Sequence, residues 1–213
     1  IIGETATIAI NYSADADVQE TFELKLYVLN YQGWKNLLWI NKAINVDYDG
    51  FVPEEIVYEH GAGLACVIPK DSRFNYIKAD KAACAKLIAK YKKCFDEVYY
   101  QIDTVEFVSQ QLFKRHLENL DNYLCNFRKA LKPIVINDSY YLDKEESGLK
   151  SLLSKVTGKV APEAYDQYFK SVEQTINAYD EWLEDVEPLF NAIMSGLENA
   201  SKLADKVDFR IST

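Results

Sequence analysis

Asp96-Glu97-Val98-Tyr99-Tyr100-Gln101-Ile102-Asp103-Thr104-Val105-Glu106, DEVYYQIDTVE, stands in the middle of a window, Lys70 to Lys132, that contains neither glycine nor proline. How this stretch is read decides the fold. Apolar residues recur through the window at Leu87, Tyr91, Cys94, Val98, Ile102 and Val105, then at Leu117, Leu120, Leu124, Phe127 and Leu131. Side chains three or four positions apart share one face of a helix, so the spacing predicts helix. The β-branched and aromatic run Val98–Ile102 weakens helix locally. Asp103-x-x-Glu106 has the spacing of a capping box, in which an acceptor side chain and a glutamate satisfy the first N–H groups of a helix. The expectation preferred is a hairpin of two helices turning near Asp103–Thr104; the alternative is one long helix over residues 70–132.

Upstream, the period changes to two. Phe22, Leu24, Leu26 and Val28 alternate with polar residues and predict a strand with one buried face. Thr5–Tyr12 and Gly63–Ile68 are further strand candidates, whereas Trp34–Ile44 reads as either a short helix or a strand. Downstream, a short helix is expected around Leu149–Val156, stopped by Gly158. Another begins near Pro162 and carries Tyr165, Tyr168, Val172, Ile176, Tyr179, Leu183 and Val186 on one face. Pro188 either kinks that helix or opens a fourth, with Phe190, Ile193, Leu197 and Leu203 continuing the pattern. The expected fold class is α+β, predominantly α. A small β-rich amino-terminal portion, residues 1–69, leads into a bundle of about four long helices, residues 70–213.

Composition restricts the partners. Lys and Arg number 24 against 33 Asp and Glu, a net charge of −9. Such a surface repels phosphate backbones, so no nucleic-acid partner is expected. No stretch approaches 18 consecutive apolar residues, so no membrane-spanning helix is expected. No cofactor motif is present either: the single G-x-G, at Gly61–Gly63, is not followed by a helix start that could hold an anion.

Cys66, Cys84, Cys94 and Cys125 raise the question of zinc or a disulfide. Cys84 and Cys94 lie ten positions apart on one predicted helix, ~15 Å, too far to share an ion that sits within ~2.3 Å of each sulfur. Buried thiols are the plain reading. In the hairpin reading Cys84 stands level with Cys125, and a disulfide there requires an oxidising compartment. Localisation follows that bond: cytoplasmic with four thiols, secreted or extracytoplasmic with it. His60 and Cys66 would form a nucleophile pair only if a third group oriented them.

Asn45-Val-Asp47-Tyr-Asp49-Gly50-Phe-Val-Pro-Glu54-Glu55 alternates oxygen-bearing side chains ahead of a glycine. Over these eleven residues it resembles an EF-hand loop, which implies Asp47, Asp49 and Glu55 as calcium ligands. The closing position is out of step, since Ile56 holds the twelfth place. The competing reading, and the preferred one, is a hairpin turn at Asp49–Gly50.

The acidic run Asp180–Glu187, with Glu181, Glu184 and Asp185, and the tyrosine pairs Tyr99–Tyr100 and Tyr140–Tyr141 are candidate contact residues for a protein partner. The function expected first is a non-enzymatic interaction or structural protein, binding through its bundle to a protein partner or to a second copy. The alternative is a hydrolase or transferase whose catalytic residues are dispersed in sequence.

Overall fold

The structure, a computed structural model, describes residues 1–13, 20–103, 109–158, 166–180 and 187–210. Strands β1 (Gly3–Ile10) and β2 (Glu20–Val28) form an antiparallel pair. Helix α1 (Tyr31–Lys42) follows, capped by the Asn30 side chain, which accepts from Gly33 N at 3.1 Å. It runs into a π-helical turn, Ala43–Asp47. Then come β3 (Val52–Pro53), α2 (Glu54–Glu59), β4 (Leu64–Ile68), α3 (Arg73–Tyr76), α4 (Lys81–Cys94), β5 (Glu97–Ile102), α5 (Gln110–Asn126) and β6 (Lys132–Val135). The remaining helices are α6 (Ser147–Thr157), α7 (Val172–Asp180) and α8 (Glu187–Asp205).

All six strands form one mixed sheet in the order β3-β1-β2-β4-β5-β6. β2 is antiparallel to β4, while β4, β5 and β6 are mutually parallel. The last three are joined through α3 and α4, then through α5, as parallel strands require. This overturns the bundle of about four long helices. The sheet is the centre of the molecule, and β4 pairs with β5 across the boundary read at residues 69 and 70.

DEVYYQIDTVE is where that expectation fails. Glu97–Ile102 is β5, an interior strand hydrogen-bonded to β4 on one side and β6 on the other. Val98, Tyr99, Tyr100, Gln101 and Ile102 are all buried. A strand covered on both faces shows no alternation of apolar and polar residues. Its apolar positions, added to those of α4, mimicked a helical stripe. Nor did the chain need glycine or proline to turn: α4 stops because Phe95 is already extended, with ψ of 148°. The helical hairpin is therefore absent, and Asp103 directly follows a strand. Glu106 lies outside the described residues.

Tyr100 stacks on Tyr123 of α5, with ring centroids 4.2 Å apart and planes within 6°. Both hydroxyls are satisfied, donating to Asn75 Oδ1 at 3.1 Å and to the Leu131 carbonyl at 3.0 Å. Burying a large side chain of this kind stabilises by ~1.5–3 kcal/mol. Leu24, Leu26, Cys66, Ile68, Val98 and Tyr100 pack with side chains of α1, α2, α4 and α5. A second cluster, Ala65, Val67, Tyr99 and Ile134, packs with Leu203 of α8.

Other expectations sharpen. Trp34–Ile44 is helical, within α1 and the π-turn. Gly158 ends α6 with φ of +65°, a conformation that glycine reaches without strain. Pro188 is the second residue of α8, where its missing N–H costs nothing. Among the described residues, no helix is long and apolar enough to cross a membrane.

Candidate functional site

Three parallel strands end at the same edge of the sheet, and open α/β sheets bind ligands beyond the carboxyl ends of such strands. Lys70 and Asp71 follow β4, Asp103 follows β5, and Asp138 lies just beyond β6. The antiparallel β2 starts at this edge and adds Glu23 and Lys25, held by the Lys25–Val67 register and by Glu23 N donating to the Asp71 carbonyl at 3.1 Å.

Lys25 occupies a polar position of the β2 alternation, yet it is only 4% exposed. Its ammonium pairs with Asp138 at 2.5 Å. A buried ammonium is tolerated only with a counter-ion in reach, because desolvating it alone is far too costly.

Asp103 is likewise 4% exposed. Gln101 Nε2 donates to its Oδ1 at 2.6 Å and to the Ile136 carbonyl at 2.9 Å, tying the end of β5 to the segment after β6. Burial pushes the Asp103 carboxyl up to about 6; Lys25 and Lys70 act against that shift, and Asp138 adds to it. Glu23 is also raised, by burial first and then by Asp71. His116 of α5 is buried with its ring hydrogen-bonded to the backbone of Asp103. Burial and the nearby Lys70 bring that imidazole down to about 4, so it is neutral at pH 7.

The arrangement thus pairs a carboxyl poised near neutrality with a buried ammonium and a neutral imidazole. Asp103 can hold or release a proton close to physiological pH, the property general acid–base catalysis needs. Lys25 can place positive charge where a transition state gains negative charge, provided its pairing with Asp138 yields.

The residues singled out from sequence fall elsewhere. Tyr99 and Tyr100 are 1% and 2% exposed, so they are core side chains and cannot anchor a partner. Tyr140 is 62% exposed. Tyr141 is half-buried, and its hydroxyl accepts from Gln167 N at 2.9 Å, fastening two segments of the chain. Glu181, Glu184 and Asp185 lie outside the described residues.

The calcium reading is not supported by placement. Asp47 closes onto Lys42 at 2.7 Å, Asp49 sits in a turn, and Glu55 is exposed on α2. The hairpin is corrected too. Asp49 and Gly50 do have positive φ, 53° and 105°, as a tight turn requires. They connect a π-helical turn to β3, however, and β3 pairs with β1 in parallel.

All four cysteines are free thiols, so the Cys84–Cys125 bond is absent; Cys84 is buried and Cys125 exposed. Burial pushes the Cys66 thiol far up, the opposite of an activated nucleophile. His60 stacks on Trp39 instead, with centroids 6.1 Å apart. Among the described residues, no three His, Cys, Asp or Glu side chains are grouped to hold a metal ion.

Sequence reasoning passed over Glu23, Lys25, Asp71, Asp103 and Asp138. Lys25 and Glu23 read as the solvent face of a strand, and Asp103 read as a helix cap. No motif spacing links these positions; only the parallel strand order brings them to one edge. No protein-family model matches the chain, and no curated protein matches it.

Proposed function

We infer that the protein is an enzyme of the hydrolase or transferase class, with Asp103 as general acid–base and Lys25 as electrostatic stabiliser. The observation that carries this reading is the buried Asp103 carboxyl, raised to about 6, at the carboxyl end of the central parallel strand beside the Lys25–Asp138 pair. A structural role alone gives little reason to hold several carboxyls and an ammonium in one partly desolvated cluster, because buried ion pairs seldom stabilise more than apolar packing. Perturbed groups of this kind concentrate at functional sites.

A panel of phosphoryl and acyl ester substrates tests the reading. The wild type should turn over at least one class, with a pH profile inflecting near 6, and Asp103→Asn should abolish that turnover while the fold persists. Silence across the panel, or turnover unchanged in Asp103→Asn, would overturn it.

The interaction reading is also supported, on a different surface from the one expected. Leu149, Leu152, Leu153 and Val156 recur at helical spacing on α6 and are 59%, 59%, 62% and 76% exposed. Four large apolar side chains on one exposed helix face mark a contact surface, and a second copy of the chain is the occupant proposed. Light scattering should show a dimer that Leu152→Lys with Leu153→Lys dissociates. A wild type that stays monomeric at high concentration would remove this reading.

A further inference from the structure

At the same edge of the sheet, beside the carboxylate cluster, lies an open cleft of about 420 Å³. Its walls are the start of β2, the loop after β4, α3 and α5, and its ionisable cations are Lys70, Lys78 and Arg115. Asp71 is the one acid among the lining residues described, so the lining carries a formal charge of +2 in a chain whose net charge is −9. Arg115 meets Asp71 at 3.3 Å, and Lys78 meets Glu118 at 3.1 Å and Asn119 Oδ1 at 2.9 Å. Arg115 and Glu118 are about half exposed. Surface pairs of this kind are weak and exchange readily for a better-placed anion.

A second observation points the same way. Ser72 lies in the wall of the cleft and is 1% exposed, yet its hydroxyl has no hydrogen-bond partner among the described residues. It sits immediately before α3, where serine commonly caps, but its side chain makes no cap bond. Leaving a buried hydroxyl unsatisfied is costly, so a group that supplies the missing partner would be selected by the site.

We propose that this cleft is an oxyanion subsite that binds the phosphoryl group of a phosphomonoester substrate. Arg115 and Lys78 donate to the phosphoryl oxygens, Ser72 supplies a hydroxyl donor, and Lys70 spans the distance between the subsite and Asp103. The dianion of a phosphomonoester matches the +2 lining, whereas a carboxylate would leave one cation unmatched. Arg offers a planar fork to phosphate oxygens, and Lys a mobile point charge. This assignment rests on the enzymatic reading above and names the substrate class for that site.

Titration with inorganic phosphate, followed by phosphorus NMR and by melting temperature against chloride at equal ionic strength, tests it. Phosphate should bind and raise the melting temperature. Arg115→Gln and Lys78→Gln should each weaken binding by ten-fold or more, while Lys92→Gln, on another surface, should leave it unchanged. The two altered side chains are partly exposed, so the variants should fold, and circular dichroism checks that they do. No response beyond chloride, an equal response to acetate, or binding retained in both variants would overturn the subsite. If a non-phosphorylated ester is turned over through Asp103 while phosphate does not bind, the enzymatic reading stands and the phosphoryl assignment falls.

Discussion

Asp103→Asn should lose at least ~10²-fold in turnover, the lower end of what a positioned acid–base contributes, and should nevertheless melt several degrees higher than the wild type at pH 7.5. The two effects share one cause. The Asp103 carboxyl titrates at 3.8 when unperturbed and at about 6 in the fold, because burial penalises its charged form. Its folded state therefore binds a proton that the unfolded state has already lost between those two pH values. Stability falls as pH rises through that window, and once the group is fully ionised the deficit is ~3 kcal/mol. An amide keeps the Oδ1 that accepts from Gln101 but carries no charge, so it escapes the deficit. A residue that destabilises the fold and is needed for turnover fits the usual exchange of stability for activity.

His116 provides the sign control. Its imidazole falls from 6.5 to about 4 in the fold, so the unfolded state binds the extra proton and stability rises with pH through that range. Across pH 4–6 the Asp103 and His116 contributions oppose each other and largely cancel. Removing Asp103 exposes the His116 slope, with stability rising by up to ~1.4 kcal/mol per pH unit. His116→Gln should show the reverse. Denaturant titrations at pH 4.5, 5.5 and 7.5 measure both slopes. An Asp103→Asn protein that is less stable than wild type at pH 7.5, or as insensitive to pH as the wild type, would contradict the account.

Gly33→Ala should be among the most destabilising single substitutions in the chain, by ~3 kcal/mol or more, since overpacking against rigid groups typically costs ~1–3 kcal/mol and exceeds that when backbone must move. A Cβ at position 33 would stand 1.9 Å from the Gly63 carbonyl oxygen. Neither partner is the free end of a side chain. Gly33 lies in the first turn of α1, and Gly63 leads into β4, so relief would have to separate a helix from the sheet. Gly63 is itself at φ +75°, and a Cβ there would meet Asn30 Oδ1, the cap of α1, at 2.5 Å. The G-x-G near His60 is thus explained by close backbone approach. Urea unfolding of Gly33→Ala beside Gly50→Ala separates the effects, because Gly33 is crowded without a positive φ, whereas Gly50 has a positive φ and nothing within 4 Å of a Cβ. Gly50→Ala should cost only the ~1–2 kcal/mol of its strained backbone. A Gly33→Ala protein as stable as the wild type would show that packing at Gly33 contributes nothing.

The sequence by itself determined the elements whose signal is local. Phe22–Val28 alternates because one face of β2 packs on helices, and Gly158 and Pro188 mark helix ends through their own backbone preferences. Only the tertiary structure decided that Glu97–Ile102 is a strand, because its partners β4 and β6 lie some thirty residues away on either side and helices cover both its faces. A strand buried on both faces has no period to read. The same strand order decided the site. Glu23, Lys25, Asp71, Asp103 and Asp138 each look like ordinary surface or capping residues locally. Parallel pairing puts the ends of β4, β5 and β6 at one edge with the start of β2, and the resulting loss of solvent turns Asp103 from a common acid into one poised near neutrality.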